Sequence, residues 1–245
     1  MTIFNKTLFK GKTAVVTGGT SGIGAGIATY LARHGATVYA VGLGADKVSF
    51  EAALNIIVKE VDVTQTTDLT DLFNSLDRLD ILVPAAGISM GEKEVEYDNF
   101  LRVLSIQLEA TYHTISLAYP LLKKSEQGNI VTIASMYSYF GGGARVAYST
   151  AKGGVVQLTK SLAELYAKDK IRINAVAPGW IETPLLAPLK ADEYLSSRIL
   201  SRTPLNRFGS TEEIAKAVAF LSSDGASFIT GAILPVDGGY LVTGI

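Results

Sequence analysis

Three residues between positions 135 and 152 have the types and spacing for proton transfer: Ser135, Tyr148 and Lys152, within SMYSYFGGGARVAYSTAK. In a helix, residues four apart share a face, so Tyr148 and Lys152 are expected one turn apart. An ammonium beside a phenol favours the phenolate. A free phenol has a pKa of about 10, so proton transfer near neutrality asks for a shift of about 3 units, or about 4 kcal/mol. Ser135 could then hold a substrate oxygen by a hydrogen bond while Tyr148 moves the proton.

The spacing alone is not selective. Tyr119/Lys123 and Tyr166/Lys170 repeat it. The first reads as a solvated helix end, with Pro120 inside it. The second falls in AELYAKDKIR, a charged helix C-terminus. Tyr148/Lys152 differs in its setting. Small residues surround it (Ser149, Thr150, Ala151, Gly153, Gly154), a glycine run precedes it, and Ser135 ends an apolar strand, NIVTIAS. Small side chains leave room for a ligand.

The elements that would position these groups alternate along the chain. Strands are expected at Lys12–Thr17, Thr37–Val41, Ile56–Val61, Asp80–Ala85, Asn129–Ala134, Ile171–Val176 and Ala232–Val236. Helices are expected at Ile23–His34, Thr67–Leu76, Glu96–Lys123, Val146–Lys168 and Thr211–Ser222. GLGADKVSFEAALN, between the second and third strands, is short for a crossover helix but is assigned as one. This order predicts a parallel sheet with helices on both faces, in a single domain spanning 1–245. The segment 178–210, with prolines at 178, 184, 188 and 204, is a candidate substrate lid.

After the first strand comes TGGTSGIG, with Gly18, Gly22 and Gly24 spaced as G-x-x-x-G-x-G. Glycines there let the backbone approach a pyrophosphate, whose charge a helix N-terminus favours. The spacing is neither G-x-G-x-x-G nor a P-loop, which would need a following lysine.

TGGTSGIG, Ala85-Ala86-Gly87, Ser135 with Tyr148-STA-Lys152, PGWIET at 178–183 and FITGAILPVDGG together resemble the short-chain dehydrogenase/reductase family, in order, from about residue 10 to 240. The resemblance implies a Rossmann-type, doubly wound α/β/α sandwich with a seven-stranded parallel sheet that binds NAD(H) or NADP(H). By the same resemblance Tyr148 is the acid/base in hydride transfer between nicotinamide and a secondary alcohol or ketone. Lys152 holds the nicotinamide ribose and lowers the Tyr148 pKa, and Ser135 orients the substrate oxygen. Gly18, Ser21, Gly22, Ile23 and Gly24 cradle the phosphates. Asp62 and Val63 flank the adenine, with Ala86 and Gly87 nearby, and Pro178, Gly179, Ile181 and Thr183 line the nicotinamide end.

Two departures stand out. Family members often carry Asn mid-way along the long fourth helix, supporting a water that leads protons to the lysine; here Gln107 takes that place and counts as a candidate catalytic residue. The usual Asn-Asn-Ala-Gly reads Pro84-Ala85-Ala86-Gly87. After the second strand stand Gly42 and Leu43, with Asp46 a few residues on and no arginine for a 2′-phosphate, so NAD is preferred over NADP.

Other chemistries fit poorly. Gly87-Ile88-Ser89-Met90-Gly91 matches a G-x-S-x-G elbow, but a hydrolase needs a later histidine, and only His34 and His113 exist. With no cysteines there is no disulfide or thiolate site, and no His/Cys cluster suggests a metal. A non-catalytic, cofactor-sensing member of the same fold is the rival class, with Gln107 as its support.

The chain has 245 residues, 48 % apolar, and a formal net charge of −1 with the signs interspersed. No basic stripe points to nucleic acid or a membrane, and no signal-like or membrane-spanning run is present, so a cytoplasmic protein is expected. The pocket is expected to use Met136, Tyr137, Tyr139, Phe140, Trp180 and Leu185, and to take a sugar, polyol or cyclic alcohol. A 3-oxoacyl thioester is the alternative. The segment 96–123 is apolar almost all round, and Ala147, Ala151, Val155, Leu158, Leu162 and Leu165 stripe the next helix. Such faces need cover, and a homo-oligomer is expected, by resemblance a tetramer or else a dimer.

Overall fold

The computed structural model describes residues 5–243. Seven short strands rich in β-branched residues form one all-parallel sheet in the order β3-β2-β1-β4-β5-β6-β7. They are β1 (Thr13–Thr17), β2 (Thr37–Gly42), β3 (Ile56–Glu60), β4 (Ile81–Pro84), β5 (Asn129–Ile133), β6 (Arg172–Pro178) and β7 (Ile233–Val236). The interior strands β1, β4 and β5 are buried along nearly their whole length, because helices cover both faces.

On one face lie α1 (Gly22–Arg33) and α8 (Thr211–Ser222), which bury Ile27, Leu31, Ile214 and Val218 against the sheet. Ser210 and Glu213 form a reciprocal capping box that starts α8. On the other face α2 (Thr66–Asn74), α4 (Ala110–Leu122) and α5 (Val146–Tyr166) bury Leu69, Leu72, Ile115, Leu122 and Leu162. A three-layer, doubly wound α/β fold results, as the alternation of elements predicts.

Some expectations are corrected. No crossover helix joins β2 to β3; the connection holds a single 3₁₀ turn, Ala45–Lys47. The helix expected at 96–123 is α3 (Tyr97–Leu104) and α4 joined by one π-helical turn, Ser105–Glu109. Pro120 lies inside α4 and does not end it. Segment 178–210 carries two helices, α6 (Ala187–Ala191) and α7 (Glu193–Arg202).

The strand order reverses between β1 and β4, where a doubly wound sheet opens a crevice at the carboxyl ends of its strands. Among the described residues no helix is long and apolar enough to cross a membrane.

Candidate active site

The crevice is lined by backbone that admits no side chain. Gly18 has φ +63°, and a Cβ there would come within 2.7 Å of the Ala86 Cα, so the turn after β1 lies directly against the Ala85-Ala86-Gly87 stretch after β4. A Cβ on Gly24 would meet the Gly18 carbonyl oxygen at 2.1 Å, which holds the start of α1 tight against the turn. Ser21, the N-cap of α1, is extended and makes no side-chain cap bond, leaving that helix start open toward the crevice. An exposed backbone turn at a helix N-terminus is the donor set a diphosphate takes, so the predicted cradle of Gly18, Ser21, Gly22, Ile23 and Gly24 fits a dinucleotide. Gly22, at φ +51°, faces Thr183, whose Cγ2 would lie 3.5 Å from a Cβ there. That contact brings Pro178, Gly179, Ile181 and Thr183 over the same opening.

On the far side of the crevice, Val63 is buried and the Asp62 carboxylate accepts from the Thr64 amide at 2.9 Å and the Thr64 hydroxyl at 2.7 Å. At the end of β2 the Glu60 carboxylate binds the amides of Gly44 (3.1 Å) and Ala45 (2.7 Å). A carboxylate therefore stands in this loop although β2 itself ends in Gly42 and Leu43. Its source is the neighbouring strand, which no reading of the β2 segment alone would reveal.

Ser135, Tyr148 and Lys152 meet at the other edge. Ser135 follows β5 and is buried, and its hydroxyl accepts from the Tyr137 amide at 3.2 Å. The Lys152 amine, also buried, lies 5.6 Å from the centre of the Tyr148 ring and donates to the Ile133 carbonyl at 2.7 Å. Ser138 ties the two elements together by donating to the Lys152 carbonyl at 2.7 Å.

The electrostatics depart from the expectation that Lys152 acidifies Tyr148. Burial raises the phenol above its ordinary value; the Ser135 hydrogen bond, then the charge of Arg145, pull it back. Burial also pushes Lys152 down to about 7, so much of its charge is gone near neutrality. Among the causes acting on Tyr148, the cation is Arg145 rather than Lys152.

Glu94 and Arg145 were not singled out by spacing. Glu94 is fully buried, and its carboxylate accepts from the Ser89 hydroxyl (3.0 Å), the Met90 amide (2.9 Å) and the Tyr148 amide (2.9 Å). It therefore caps α5, whose own N-cap, Arg145, makes no side-chain cap bond. The Arg145 guanidinium donates to the same Ser89 hydroxyl. Ser89 is thus a link between Arg145 and Glu94, with no histidine partner, and the elbow reading of Gly87–Gly91 has no triad. One signal was visible: a cation three residues before Tyr148, at the end of an uncharged glycine run.

Gln107 sits on the π-helical turn. Its Nε2 donates to the Ile88 carbonyl at 2.6 Å, and its Oε1 is buried without a partner. A Cβ on Gly87 would lie 2.7 Å from that Oε1. No hydrogen bond joins Gln107 to Lys152; it backs the Gly87–Ile88 loop instead.

The other two Tyr-x-x-x-Lys pairs are structural. Tyr119 donates to Asp169 at 2.6 Å, Lys123 pairs with the same carboxylate at 2.9 Å, and the Tyr119 and Tyr166 rings stack at 4.3 Å. His34 is buried, stacked on Tyr30 and bonded to its carbonyl. Among the described residues no cluster of His, Cys, Asp or Glu could hold a metal ion.

A cavity of about 120 Å³ adjoins Ser135 and Tyr148, walled by Met136, Tyr137, Trp180, Leu185 and Leu189, with Arg145 and Ser89 at its rim. Two of the expected wall residues lie elsewhere. Tyr139 is half exposed, and Phe140 packs behind Tyr137 with Arg202 over its ring.

Residues 18–241 match the family model described as enoyl-(acyl carrier protein) reductase. A cis-4-hydroxycyclohexanecarboxylate dehydrogenase of Sinomonas cyclohexanicum is 39 % identical over 95 % of this chain and 97 % of its own. A tropinone reductase homolog of Arabidopsis thaliana is 38 % identical over 96 % of this chain and 81 % of its own. Among solved structures, a candidate NAD(P)-dependent gluconate 5-dehydrogenase of Beutenbergia cavernae, with NADP bound at low occupancy, superposes with TM-score 0.90 at 34 % identity, covering 97 % of this chain and 100 % of that one. The chain therefore belongs to the short-chain dehydrogenase/reductase family of nicotinamide-dependent oxidoreductases.

Proposed function

We propose that the protein interconverts a secondary alcohol and a ketone with Tyr148 as general acid and base. The observation that carries this reading is one cavity lined by Ser135, Tyr148 and, from the glycine turn, Ile23, with the Lys152 amine 5.6 Å from the centre of the Tyr148 ring. The nicotinamide, when bound, supplies the two-electron donor or acceptor. Gly18, Ser21, Gly22, Ile23 and Gly24 hold its phosphates. Asp62, Val63, Ala86 and Gly87 hold the adenosine side, and Lys152, Pro178, Gly179, Ile181 and Thr183 the nicotinamide side.

In reduction, the Tyr148 phenol, held protonated by its raised pKa, gives its proton to the ketone oxygen while Ser135 holds that oxygen. In oxidation the proton returns by the same path. The buried amine of Lys152, with its pKa near 7, is placed to take up or release protons behind the phenol.

The substrate is a sugar, polyol or cyclic alcohol, and the apolar wall of Met136, Trp180, Leu185 and Leu189 favours the cyclic alcohol. The Sinomonas relative, named for a hydroxycyclohexane acid, supports that choice. A 3-oxoacyl thioester reductase is the second reading, supported by the acyl-carrier-protein description of the matching family.

NAD is preferred over NADP. The Glu60 carboxylate, bonded to the amides of the loop after β2, puts a negative charge at that strand end, which would repel a 2′-phosphate bound there. A homo-oligomer, tetramer or dimer, would cover the exposed Leu101, Tyr112 and Leu165.

The test is Tyr148→Phe, assayed with a panel of alcohols and ketones. Turnover should fall about 10²–10⁴-fold with cofactor affinity retained. Near wild-type turnover in the variant rejects the role. A wild-type protein that binds cofactor yet turns over nothing in the panel favours the non-catalytic reading.

A further inference from the structure

We propose that Arg145 binds a carboxylate, so that the substrate is a small monoanionic hydroxy or oxo acid. The carbinol or ketone carbon of that acid faces Tyr148 and Ser135. The inference rests on the redox reading above and narrows its substrate.

Arg145 is the one charged residue among those that wall the cavity. Among the described residues no carboxylate forms an ion pair with it. The nearest candidate, Glu94, is committed elsewhere: its two oxygens already accept from Ser89, Met90 and Tyr148. Ser89 gives its only proton to Glu94 and accepts from Arg145, which sets the direction of the guanidinium at the cavity rim. Tyr137 lines the same cavity beside it, and the charge of Arg145 pulls the Tyr137 phenol back from the rise that burial causes.

A guanidinium carries five donors, and a planar fork matches a carboxylate. A half-buried, oriented and unpaired arginine in an otherwise uncharged pocket selects an anion. Its charge also reaches the Tyr148 phenol, so the anion and the reacting carbon belong to one small molecule. Met136, Leu185, Leu186 and Leu189 give the wall a broad hydrocarbon stretch, with the Tyr137 and Thr183 hydroxyls and the Trp180 indole as its remaining polar groups. That suits an acid on an apolar ring or short chain better than a polyol.

Trp180 is the only tryptophan and lines the cavity, so its fluorescence reports occupancy. The experiment titrates cyclohexanecarboxylate and its methyl ester into the full-length protein saturated with NAD or NADP. It compares the wild type with Arg145→Gln and Arg145→Lys. In parallel, with NADH or NADPH as the hydride donor, it measures reduction of 4-oxocyclohexanecarboxylate and its methyl ester.

The wild type should bind the acid at least ~10-fold tighter than the ester. Arg145→Gln should bring that ratio close to one, and Arg145→Lys should restore part of it. Equal affinity for acid and ester in the wild type, no saturable binding of either, or a ratio that survives in Arg145→Gln overturns the proposal. Turnover of the ester as efficient as that of the acid also overturns it, while leaving the redox reading intact. Acid-selective binding with no turnover of either ketone or of anything in the alcohol and ketone panel does the reverse: it keeps Arg145 as the anion site and sinks the redox reading.

Discussion

The buried carboxylate of Glu94 accepts a hydrogen bond from the backbone amide of Tyr148 at 2.9 Å. A residue in a 3₁₀ turn fifty-four positions upstream thereby holds the first turn of the helix that carries Tyr148. An anion at a helix start is favoured by the macrodipole, and here it also satisfies an amide that no residue of α5 caps.

Replacing Glu94 should therefore disturb chemistry and stability together. Glu94→Gln keeps one carbonyl acceptor and loses the charge, so at least one of the three bonds is weakened or lost. A hydrogen bond to a charged group contributes about 1.5–3 kcal/mol, which predicts a Tm several degrees lower. Because the phenol is displaced, kcat should drop by more than KM rises. Thermal melting and steady-state kinetics check this; a variant unchanged in both would show that the tether is incidental.

Lys152 gives a pH-dependent prediction. Its folded pKa is depressed to about 7 by burial from an ordinary 10.5. Below pH 7 the amine is charged in both states and the burial cost is full. As pH rises from 7 toward 10.5 the folded protein sheds this proton while the unfolded chain keeps it, so stability from this group rises with pH. Lys152→Met abolishes the effect. The Tm difference, variant minus wild type, should be largest near pH 6 and shrink by pH 9. A difference that stays flat with pH would mean that the amine is not desolvated.

Gln107 should act on the cofactor loop. Gln107→Leu keeps the volume and removes the bond to Ile88, at about 1 kcal/mol of stability. The Gly87–Ile88 loop then loses its backing, and cofactor affinity should weaken several-fold, measured by fluorescence titration. A large loss of kcat at unchanged cofactor affinity would instead assign Gln107 to proton transfer.

Glu60 should set the cofactor preference. A single surface charge acts with about 1 kcal/mol at close range, so Glu60→Gln should raise NADPH affinity relative to NADH by roughly 5-fold. Paired titrations read the ratio. Tighter NADPH binding already in the wild type would reverse the preference for NAD.

Much of the fold can be read from local pattern. Apolar β-branched runs followed by amphipathic segments give β1 to β7 and the main helices within a few residues. The glycine turn is legible because Gly18 and Gly24 are where a Cβ cannot fit. What escaped is what depends on distant pairing. GLGADKVSFEAALN is short for a crossover helix and is assigned as one from the alternation of elements, yet the connection there holds one 3₁₀ turn. The π-helical turn at Ser105–Glu109 leaves no mark in the 3.6 periodicity. Glu94 looks like any surface acid in GEKEVEY until folding places it under α5, and Glu60 until β3 places it beside the end of β2. The sequence places an ammonium beside the Tyr148 phenol, but the depth of Lys152 in the protein decides its charge.

The tie between Glu94 and α5 makes the two sides of the cavity unequal in their tolerance of change. Any outward shift of residues 88–96 to admit a bulkier molecule would drag the start of α5, and Tyr148 with it, out of place. Relatives that diverge to larger substrates should therefore keep that side and remodel the opposite one, where Leu185 stands just before, and Leu189 on, a helix of five residues.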